Sequence, residues 1–293
     1  MNQIYTSTGI SKQAFHQWLN RSLVVFEEQE NLLPILRQIR QNHPVMSCRQ
    51  MYLMLKPATM GRDRFEVFCY AHGYKVERKR IRYKTTDSRG VIYFPNFLLN
   101  LDELSGVNQL WVSDITYFEI MKEVYYLTFI TDIYNREIVG YNASESLRTE
   151  HTTLPALSMA IRKTKLKKES GLIFHSDGGG QYYSKVFTAL TKSYGIRNSM
   201  GKTAYENPHA ERVNGTIKNN YLVHYQPDSY NKLKKMLIKA VNLYNQDKPH
   251  QSLNGHTPQG FKELVNKGLL TKTWLINKKK KVSKKEKVNI FIT

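Results

Sequence analysis

One acidic residue inside a strand-like run limits what this chain can fold into. Residues 109–120 alternate as expected of a half-buried β-strand and are rich in aromatic and β-branched side chains. Asp114 interrupts this run near its centre. Because an unpaired carboxylate is costly to bury, the fold must bring a partner or a cation to this strand.

Two further acids stand at positions where a chain can reach a shared site. Asp177 ends a short apolar run and opens the glycine run 178–180, where the backbone can bend and a ligand can approach closely. Glu211 lies one turn into a helix predicted to begin with Asn207 as N-cap and Pro208 at the first helical position. Three carboxylates repel one another at neutral pH unless a cation lies between them.

The three acids predict a magnesium site for phosphodiester chemistry. Hard oxygen ligands select Mg²⁺ or Mn²⁺ rather than zinc. In a two-metal site, the ions activate a water or a 3′-hydroxyl and stabilise the leaving oxygen. We expect Asp114 to bridge two Mg²⁺ ions, Asp177 to hold one and Glu211 the other, with Mn²⁺ able to substitute.

The charge distribution predicts a DNA partner. The formal net charge is +20 and the isoelectric point is about 9.7, which indicates a polyanionic partner. Lys and Arg number 15 against 7 acids in residues 1–100, 21 against 16 in residues 101–271, and 8 against 1 in residues 272–293. The flanks are thus predicted to grip DNA around a less basic catalytic core.

Candidate DNA contacts fall in three places. On the Glu211 helix, Glu211, Asn214, Gly215 and Lys218 share one face, and Lys218 is predicted to take a phosphate. Near the amino terminus, residues 5–21 with Ser11 as N-cap fit either the recognition half of a helix-turn-helix or a plain amphipathic helix. The predicted DNA-binding residues are Lys218, Asn214, Arg212, Lys12, Gln13, Gln17, Arg78, Lys79 and Arg80.

Other residues have simpler explanations. Cys48 and Cys69 form no Cys-x-x-Cys pair, so we expect buried, reduced thiols; a disulfide between them stays open. Asp132 is predicted to close a strand before a turn, and His175 to pack near the site. Trp274 is a candidate partner contact. Without a signal peptide or a long apolar stretch, we expect a soluble, cytoplasmic, nucleoid-associated protein.

The element order predicts an α/β fold. Three strands at 109–120, 123–133 and 136–141 precede a helix-strand-helix-strand-helix series that ends with the Glu211 helix. This is the order of the ribonuclease H-like fold, a five-stranded mixed sheet flanked by helices, preceded here by all-α helix-turn-helix modules. The predicted domains are a helix-turn-helix-like segment 1–30, a helical DNA-binding module and basic linker 31–100, a catalytic core 101–270 and a basic tail 271–293. Within the second, helices are expected at about 31–41, 47–55 and 61–72.

Five motifs in order resemble one family. They are residues 111–117, 131–134, 175–182, 210–218 and 244–258. The chain is similar over about residues 31–265 to bacterial insertion-sequence transposases whose catalytic region is most similar to retroviral integrase. The resemblance implies Asp114, Asp177 and Glu211 as the catalytic triad. Only residues 178–210 separate Asp177 from Glu211, and this interval is shorter than is usual in the family. Glu206 is an alternative to Glu211, but a remote one, because it precedes the helix cap.

The resemblance implies a DNA transposase. Such an enzyme nicks the element ends in a metal-dependent step and transfers the 3′-hydroxyl strand. Its partners would be double-stranded DNA, as terminal inverted repeats and target, and a second copy of the chain, with no membrane. Two rivals remain from the residues alone: a metal-dependent nuclease of the same fold, and a DNA-binding regulator with an inactive core.

Overall fold

The computed structural model describes residues 9–76, 93–201 and 207–276, which form two compact units. The first contains residues 9–76 and 247–256, and the second contains residues 93–201, 207–246 and 257–276. Several predicted residues lie outside the described residues: Arg78, Lys79, Arg80, Glu206 and the lysines of 278–287. No helix in the described ranges is long and apolar enough to span a bilayer.

The first unit is helical. Its helices are α1 (Lys12–Asn42), α2 (Cys48–Leu55) and α3 (Arg62–Ala71). Ser11 caps α1 as predicted, because its Oγ accepts a hydrogen bond from the Ala14 amide at 3.1 Å. These helices confirm the set expected at 31–41, 47–55 and 61–72.

The helix-turn-helix of the first segment stays a prediction, because its turn would precede Ser11 and residues 1–8 lie outside the described residues. Helix α1 runs without a turn from Lys12 to Asn42, so the predicted boundary at residue 30 falls inside it. No glycine or proline occurs between residues 12 and 33, and Pro34 removes only one hydrogen bond of the helix. The recognition helix and the plain amphipathic helix both predict the helix observed over residues 12–21.

The core of the first unit joins α1, α2 and α3. Leu36, Met51 and Phe65 are fully buried there. Cys48 and Cys69 are buried free cysteines, as expected. The segment 247–256 packs on these helices, since the Asp247 carboxylate contacts His43 at 2.9 Å and the Pro249 carbonyl accepts from Gln50 at 3.1 Å. The predicted core boundary at 270 therefore encloses a segment that belongs to the helical unit.

The second unit contains the predicted five-stranded mixed sheet. Its strands, in the spatial order β4-β3-β2-β5-β6, are β2 (Leu110–Ile120), β3 (Glu123–Asp132), β4 (Ile138–Ser144), β5 (Ile173–Ser176) and β6 (Arg197–Met200). Strands β2, β3 and β4 pair antiparallel, whereas β2, β5 and β6 pair parallel. This arrangement confirms the ribonuclease H-like prediction.

Helices cover both faces of the sheet. They are α4 (Thr153–Thr164), α5 (Lys185–Ser193), α6 (Pro208–Ile217), α7 (Tyr230–Gln246) and α8 (Pro258–Asn266). Because side chains alternate along a strand, Trp111 joins the core with α4 and α5, while Ile120 joins the core with α6 and α7. Asp114 belongs to the α6 side of β2.

Some elements differ from the sequence expectations. The third strand begins at Ile138 rather than residue 136, because Arg136 adopts a left-handed conformation (φ 62°) and Glu137 is held by Lys163 and Lys262. Helix α8 and the short pair β1 (Glu103–Leu104) and β7 (Trp274–Leu275) were not predicted. After α6 the chain continues as a π-helical turn, Lys218–Leu222, and a last turn, Val223–Tyr225.

Candidate active site

The sheet register places two of the predicted acids side by side. Strands β2 and β5 pair parallel with Val112 opposite His175. Continuing this register by two residues sets Asp177, just beyond the end of β5, beside Asp114. The Asp177 Oδ1 atom accepts a hydrogen bond from the Gly179 amide at 3.2 Å, so the glycine run fixes this carboxylate.

The electrostatics of the two aspartates reflect burial and mutual repulsion. Burial raises the pKa of Asp114 to about 7, and the negative charges of Asp177 and Glu211 add to this rise. Hydrogen bonds from the Ile115 amide and the Asn214 side chain act in the opposite direction. Burial also raises the pKa of Asp177. The site thus favours binding of a positive charge.

One face of α6 is fixed to β2 at three points. Asn207 Nδ2 donates to the Ser113 carbonyl at 2.8 Å, Asn214 Nδ2 donates to Asp114 Oδ2 at 2.8 Å, and Lys218 Nζ donates to Thr116 Oγ1 at 3.3 Å. Glu211 occupies the same face, four residues after Asn207 and three before Asn214. Its side chain is exposed. The helix therefore carries Glu211 to the strand that contains Asp114.

The cap of α6 differs from the prediction. Pro208 is at the first helical position as expected, but the Asn207 side chain makes no capping hydrogen bond. Its amide reaches β2 instead, because the contact with the Ser113 carbonyl satisfies a buried donor. The Asn207 Oδ1 atom is buried and has no hydrogen-bond partner among the described residues.

The acids alone do not form a closed metal cage. In the parts of the chain that the structure describes, no three His, Cys, Asp or Glu side chains are grouped tightly enough to hold a metal ion. His175 is buried and its Nδ1 atom lies 2.9 Å from Ser199 Oγ, which fits the predicted packing role. Asp132 accepts hydrogen bonds from the Asn108 and Tyr134 amides, so it closes the strand as predicted.

Sequence comparisons agree with this geometry. A profile of the Integrase core domain matches residues 105–205, and a second profile of the same description matches residues 194–258. The uncharacterized 31 kDa protein of insertion element IS600 from Shigella sonnei is 28% identical over 87% of this chain and 96% of that protein. The transposase for insertion sequence element IS629 from Shigella sonnei is 33% identical over 52% of this chain and 50% of that protein. The chain belongs to the insertion-sequence transposases with an integrase core.

A solved retroviral core is also similar. The HTLV-2 integrase catalytic core domain, solved in complex with magnesium, matches 53% of this transposase and 95% of that chain, with 25% identity and a TM-score of 0.42. The transposase spans half the length of the IS629 protein and 76% of the IS904 transposase from Lactococcus lactis, which is 24% identical over 65% of this chain. Membership in the family makes DNA transposition, a polynucleotidyl transfer, its general activity.

The predicted DNA-contact residues occupy varied environments. Lys218 of the transposase is 9% exposed, and its Nζ lies 4.7 Å from the centre of the Tyr117 ring. Burial lowers the pKa of Lys218. Asn214 is buried with its amide on Asp114, so it positions a carboxylate. Arg212, Lys12, Gln13 and Gln17 are exposed, and their DNA contacts stay predictions.

Sequence reasoning missed residues that surround the acids. Ser113 Oγ lies 2.9 Å from the hydroxyl of the buried Tyr182, which ties the glycine-run segment to the back of β2. Arg136 contacts His209 beside the start of α6, and its guanidinium lies 4.7 Å from the Trp274 ring. Trp274, predicted as a partner contact, thus packs within its own chain. No local pattern signals these contacts, because each joins segments distant in sequence.

Proposed function

We propose that this transposase nicks DNA at the ends of its element and joins the resulting 3′-hydroxyl to target DNA, with Asp114, Asp177 and Glu211 as the metal-binding acids. Two contacts carry the proposal. The register of β2 and β5 sets Asp177 beside Asp114, and the Asn214–Asp114 hydrogen bond joins the helix of Glu211 to β2. Both observations support a site built from a sheet residue, a loop residue and a helix residue.

The donor set fits a hard divalent cation. Carboxylate oxygens are the preferred ligands of Mg²⁺, and two of the three acids have pKa values raised by burial. The Asn214 Oδ1 atom is buried without a hydrogen-bond partner in the described part of the chain, while the Nδ2 atom of the same side chain donates to Asp114. We propose two Mg²⁺ ions, replaceable by Mn²⁺. When bound, such ions activate the attacking oxygen and stabilise the leaving one.

The chain's own residues have separate roles in the proposed reaction. Asp114 is oriented by the Ile115 amide at 2.8 Å and by the Asn214 side chain. Asp177 is oriented by the Gly179 amide. Exposed Glu211 can move toward ligand without leaving its helix. Lys218 directly follows α6 on the face that carries Glu211. A modest shift of its long side chain supplies a positive charge for a DNA phosphate.

Joining assays on matched variants test the proposed acids. The substrates are a labelled duplex of the element's terminal inverted repeat and a supercoiled target plasmid, with Mg²⁺. We expect Asp114→Asn and Asp177→Asn to lose nicking and joining by at least about 10³-fold, because removal of an ion ligand removes transition-state stabilisation. DNA affinity should stay near that of the wild type. Asp228→Asn is the matched control, since Asp228 is an exposed partner of Lys232.

The same assay separates the alternatives. Cleavage without joined product would favour a nuclease of the same fold. DNA binding without either reaction would favour an inactive regulator. Retention of joining by both aspartate variants would overturn the proposed acids. The proposed DNA partners are the element ends and the target duplex.

We also propose that the transposase acts as at least a dimer, through an apolar stripe on α1. The stripe contains Phe15, Trp18, Leu19 and Phe26, which recur at helical spacing. Trp18 and Phe26 are each 61% exposed, although large aromatic side chains dominate the energetics of interfaces. The occupant that fits is the α1 helix of a second copy.

The charges along α1 favour an antiparallel pair. Lys12 and Arg21 lie toward its start, whereas Glu27 and Glu30 lie further along. Two antiparallel copies that overlap along the stripe place Lys12 of one copy opposite Glu27 of the other, whereas parallel copies place like charges together. We expect light scattering to give a dimer for the wild type and a monomer for Trp18→Glu with Phe26→Glu. Val67→Glu, on the exposed surface of α3, should stay dimeric. A wild-type monomer at all concentrations, free or DNA-bound, would exclude the pairing.

A further inference from the structure

A cavity of about 480 Å³ lies beside the candidate active site. Leu110, Val112 and Ile133 form part of its apolar wall, and Pro208 and Trp274 line it from other elements. Leu110 and Val112 lie on the same face of β2 as Asp114, because alternate residues of a strand share a face. Val112 is two residues, about 6.6 Å, from Asp114 along the strand. The volume lies in the range of small-molecule sites.

Arg136 brings a positive charge to this cavity. Among the described residues, its guanidinium donates to His209 Nδ1 at 3.2 Å and lies 4.7 Å from the Trp274 ring, and no carboxylate forms a salt bridge with it, since Asp132 acts on it only at longer range. The two nearby acids are engaged elsewhere. Glu137 binds Lys163 and Lys262, and Asp132 accepts from two backbone amides. A partly buried guanidinium with unused N–H donors favours an anion.

The neighbouring groups add donors rather than acids. His209 Nδ1 faces a guanidinium N–H, so it must accept, and the ring proton then lies on Nε2 as a further donor. Helix α6 begins at the cavity with no side-chain cap, so the positive end of its dipole points to the same space. Arg212 raises the local positive charge, since it and Arg136 both act on His209.

The apolar lining distinguishes a nucleotide from a bare anion. Leu98, Leu110, Val112, Ile133 and Leu275 are among the side chains that line the cavity. A bare anion gains nothing from these side chains, whereas a nucleobase and its sugar bury apolar surface against them. The apolar wall suits the base and sugar, and Arg136 suits the phosphate.

We infer that this cavity binds one nucleotide of the DNA strand, next to the phosphate under attack and withdrawn from the base stack. Arg136 and His209 hold its phosphate, and the β2 wall covers the apolar surface of its base and sugar. Removal of a base from the stack costs free energy, and the contacts of the bound nucleotide offset this cost. The inference rests on the proposed function, because it needs DNA at Asp114.

Fluorescence of 2-aminopurine tests the site without chemistry. The probe replaces the base on either side of the cleaved phosphate in an inverted-repeat duplex, and its emission rises when it leaves the stack. The full-length Asp114→Asn protein is used so that no strand is cut. We expect a rise for one of the two positions. Arg136→Gln in the same background should lose the rise and bind the duplex about tenfold more weakly. Arg148→Gln, at an exposed arginine, should behave as the parent.

A second variant covers the case in which Arg136→Gln fails to fold. Leu275→Trp fills the cavity from β7, where Leu275 is 47% exposed, and leaves every polar group in place. It should also abolish the rise. No rise in the parent at either position, or a full rise with Leu275→Trp bound, would overturn the inference. Failure of the proposed function is distinct, because wild-type protein would then give no joined product in the plasmid assay.

Discussion

Asn214 connects two parts of the site at the scale of a single residue. Its Nδ2 atom donates to Asp114 at 2.8 Å, and its side chain is buried on the helix that carries Glu211. This amide fixes the orientation of a carboxylate whose pKa is raised by burial. Groups that orient metal-binding side chains typically affect activity strongly even when they do not touch substrate.

Replacement of Asn214 by Ala should lower joining while the fold persists. We expect a decrease of about 10- to 100-fold in the joining rate, because the Asp114 carboxylate loses its orienting donor. The matched control is Asn231→Ala, at an exposed position of α7. Metal titration provides a second readout: half-maximal joining should need more Mg²⁺ in the Asn214 variant. An unchanged Mg²⁺ requirement and rate would contradict the positioning role.

At the scale of elements, β4 and α4 approach each other unusually closely. Gly140 in β4 faces Ala156 and Ala160 of α4. A Cβ atom at Gly140 would lie 2.9 Å from the Ala160 Cβ and closer still to the Ala156 carbonyl oxygen. The small residues on both elements therefore set the spacing of this helix against the sheet.

The Gly140→Ala variant should lose about 1–3 kcal/mol or more of unfolding free energy, because the added methyl forces the two elements apart. Urea denaturation followed by circular dichroism measures the change. Gly215→Ala is the comparison, since its Cβ would meet only Asn219 at 3.9 Å within a helix. That variant should gain up to about 1 kcal/mol. Equal stability of the two variants would refute the close-packing argument.

Asp132 should make the stability of the sheet depend on pH. Burial raises its pKa from 3.8 to about 6 in the folded state. Between these values the unfolded chain has lost the proton and the folded chain keeps it, so stability falls as pH rises from about 4 to 6. The fall should be on the order of 3 kcal/mol.

The difference between wild type and Asp132→Asn isolates this effect from other carboxylates. Denaturation at pH 4 and pH 6.5 should show a smaller decrease in the variant. Asn accepts only one of the two amide hydrogen bonds that Asp132 accepts, so the variant protein is less stable at every pH. The readout is therefore the change in unfolding free energy between the two pH values. A decrease identical to that of the wild type would show that Asp132 does not titrate in this range.

At the scale of the whole molecule, we expect charge to govern DNA affinity. The chain carries a net +20, and seven lysines with one glutamate follow residue 276. Each phosphate neutralised by a lysine releases counterions, so binding weakens as salt increases. We therefore expect the basic residues outside the core to act on any DNA sequence alike.

Ending the chain after Ile276 should weaken binding to random duplex DNA. The slope of log affinity against log salt should become shallower by up to about 6, because roughly 0.9 counterion is released per contact. Changing the same seven lysines to glutamine keeps the chain length and should have the same effect. Fluorescence anisotropy measures this slope. The salt concentration is varied from about 50 to about 200 mM, where counterion release changes affinity strongly. An unaltered slope would remove the tail from the DNA-binding surface.

The sequence by itself determined the order of the five strands of the large sheet and of the helices α4 to α7, because alternation, caps and glycine runs are local patterns. The same patterns single out the three acids as the predicted site. It also predicted α2, α3 and the start of α1 closely. The continuity of α1 escaped prediction, since a recognition helix and the first turns of a long helix have the same local pattern.

Only the tertiary structure decided how the acids are held. The contacts of Asn207 with Ser113 and of Asn214 with Asp114 join residues about a hundred positions apart. The return of residues 247–256 to the helical unit and the Arg136 cavity likewise depend on distant segments. Such contacts follow from the packing of whole elements, which side-chain alternation within one element does not specify.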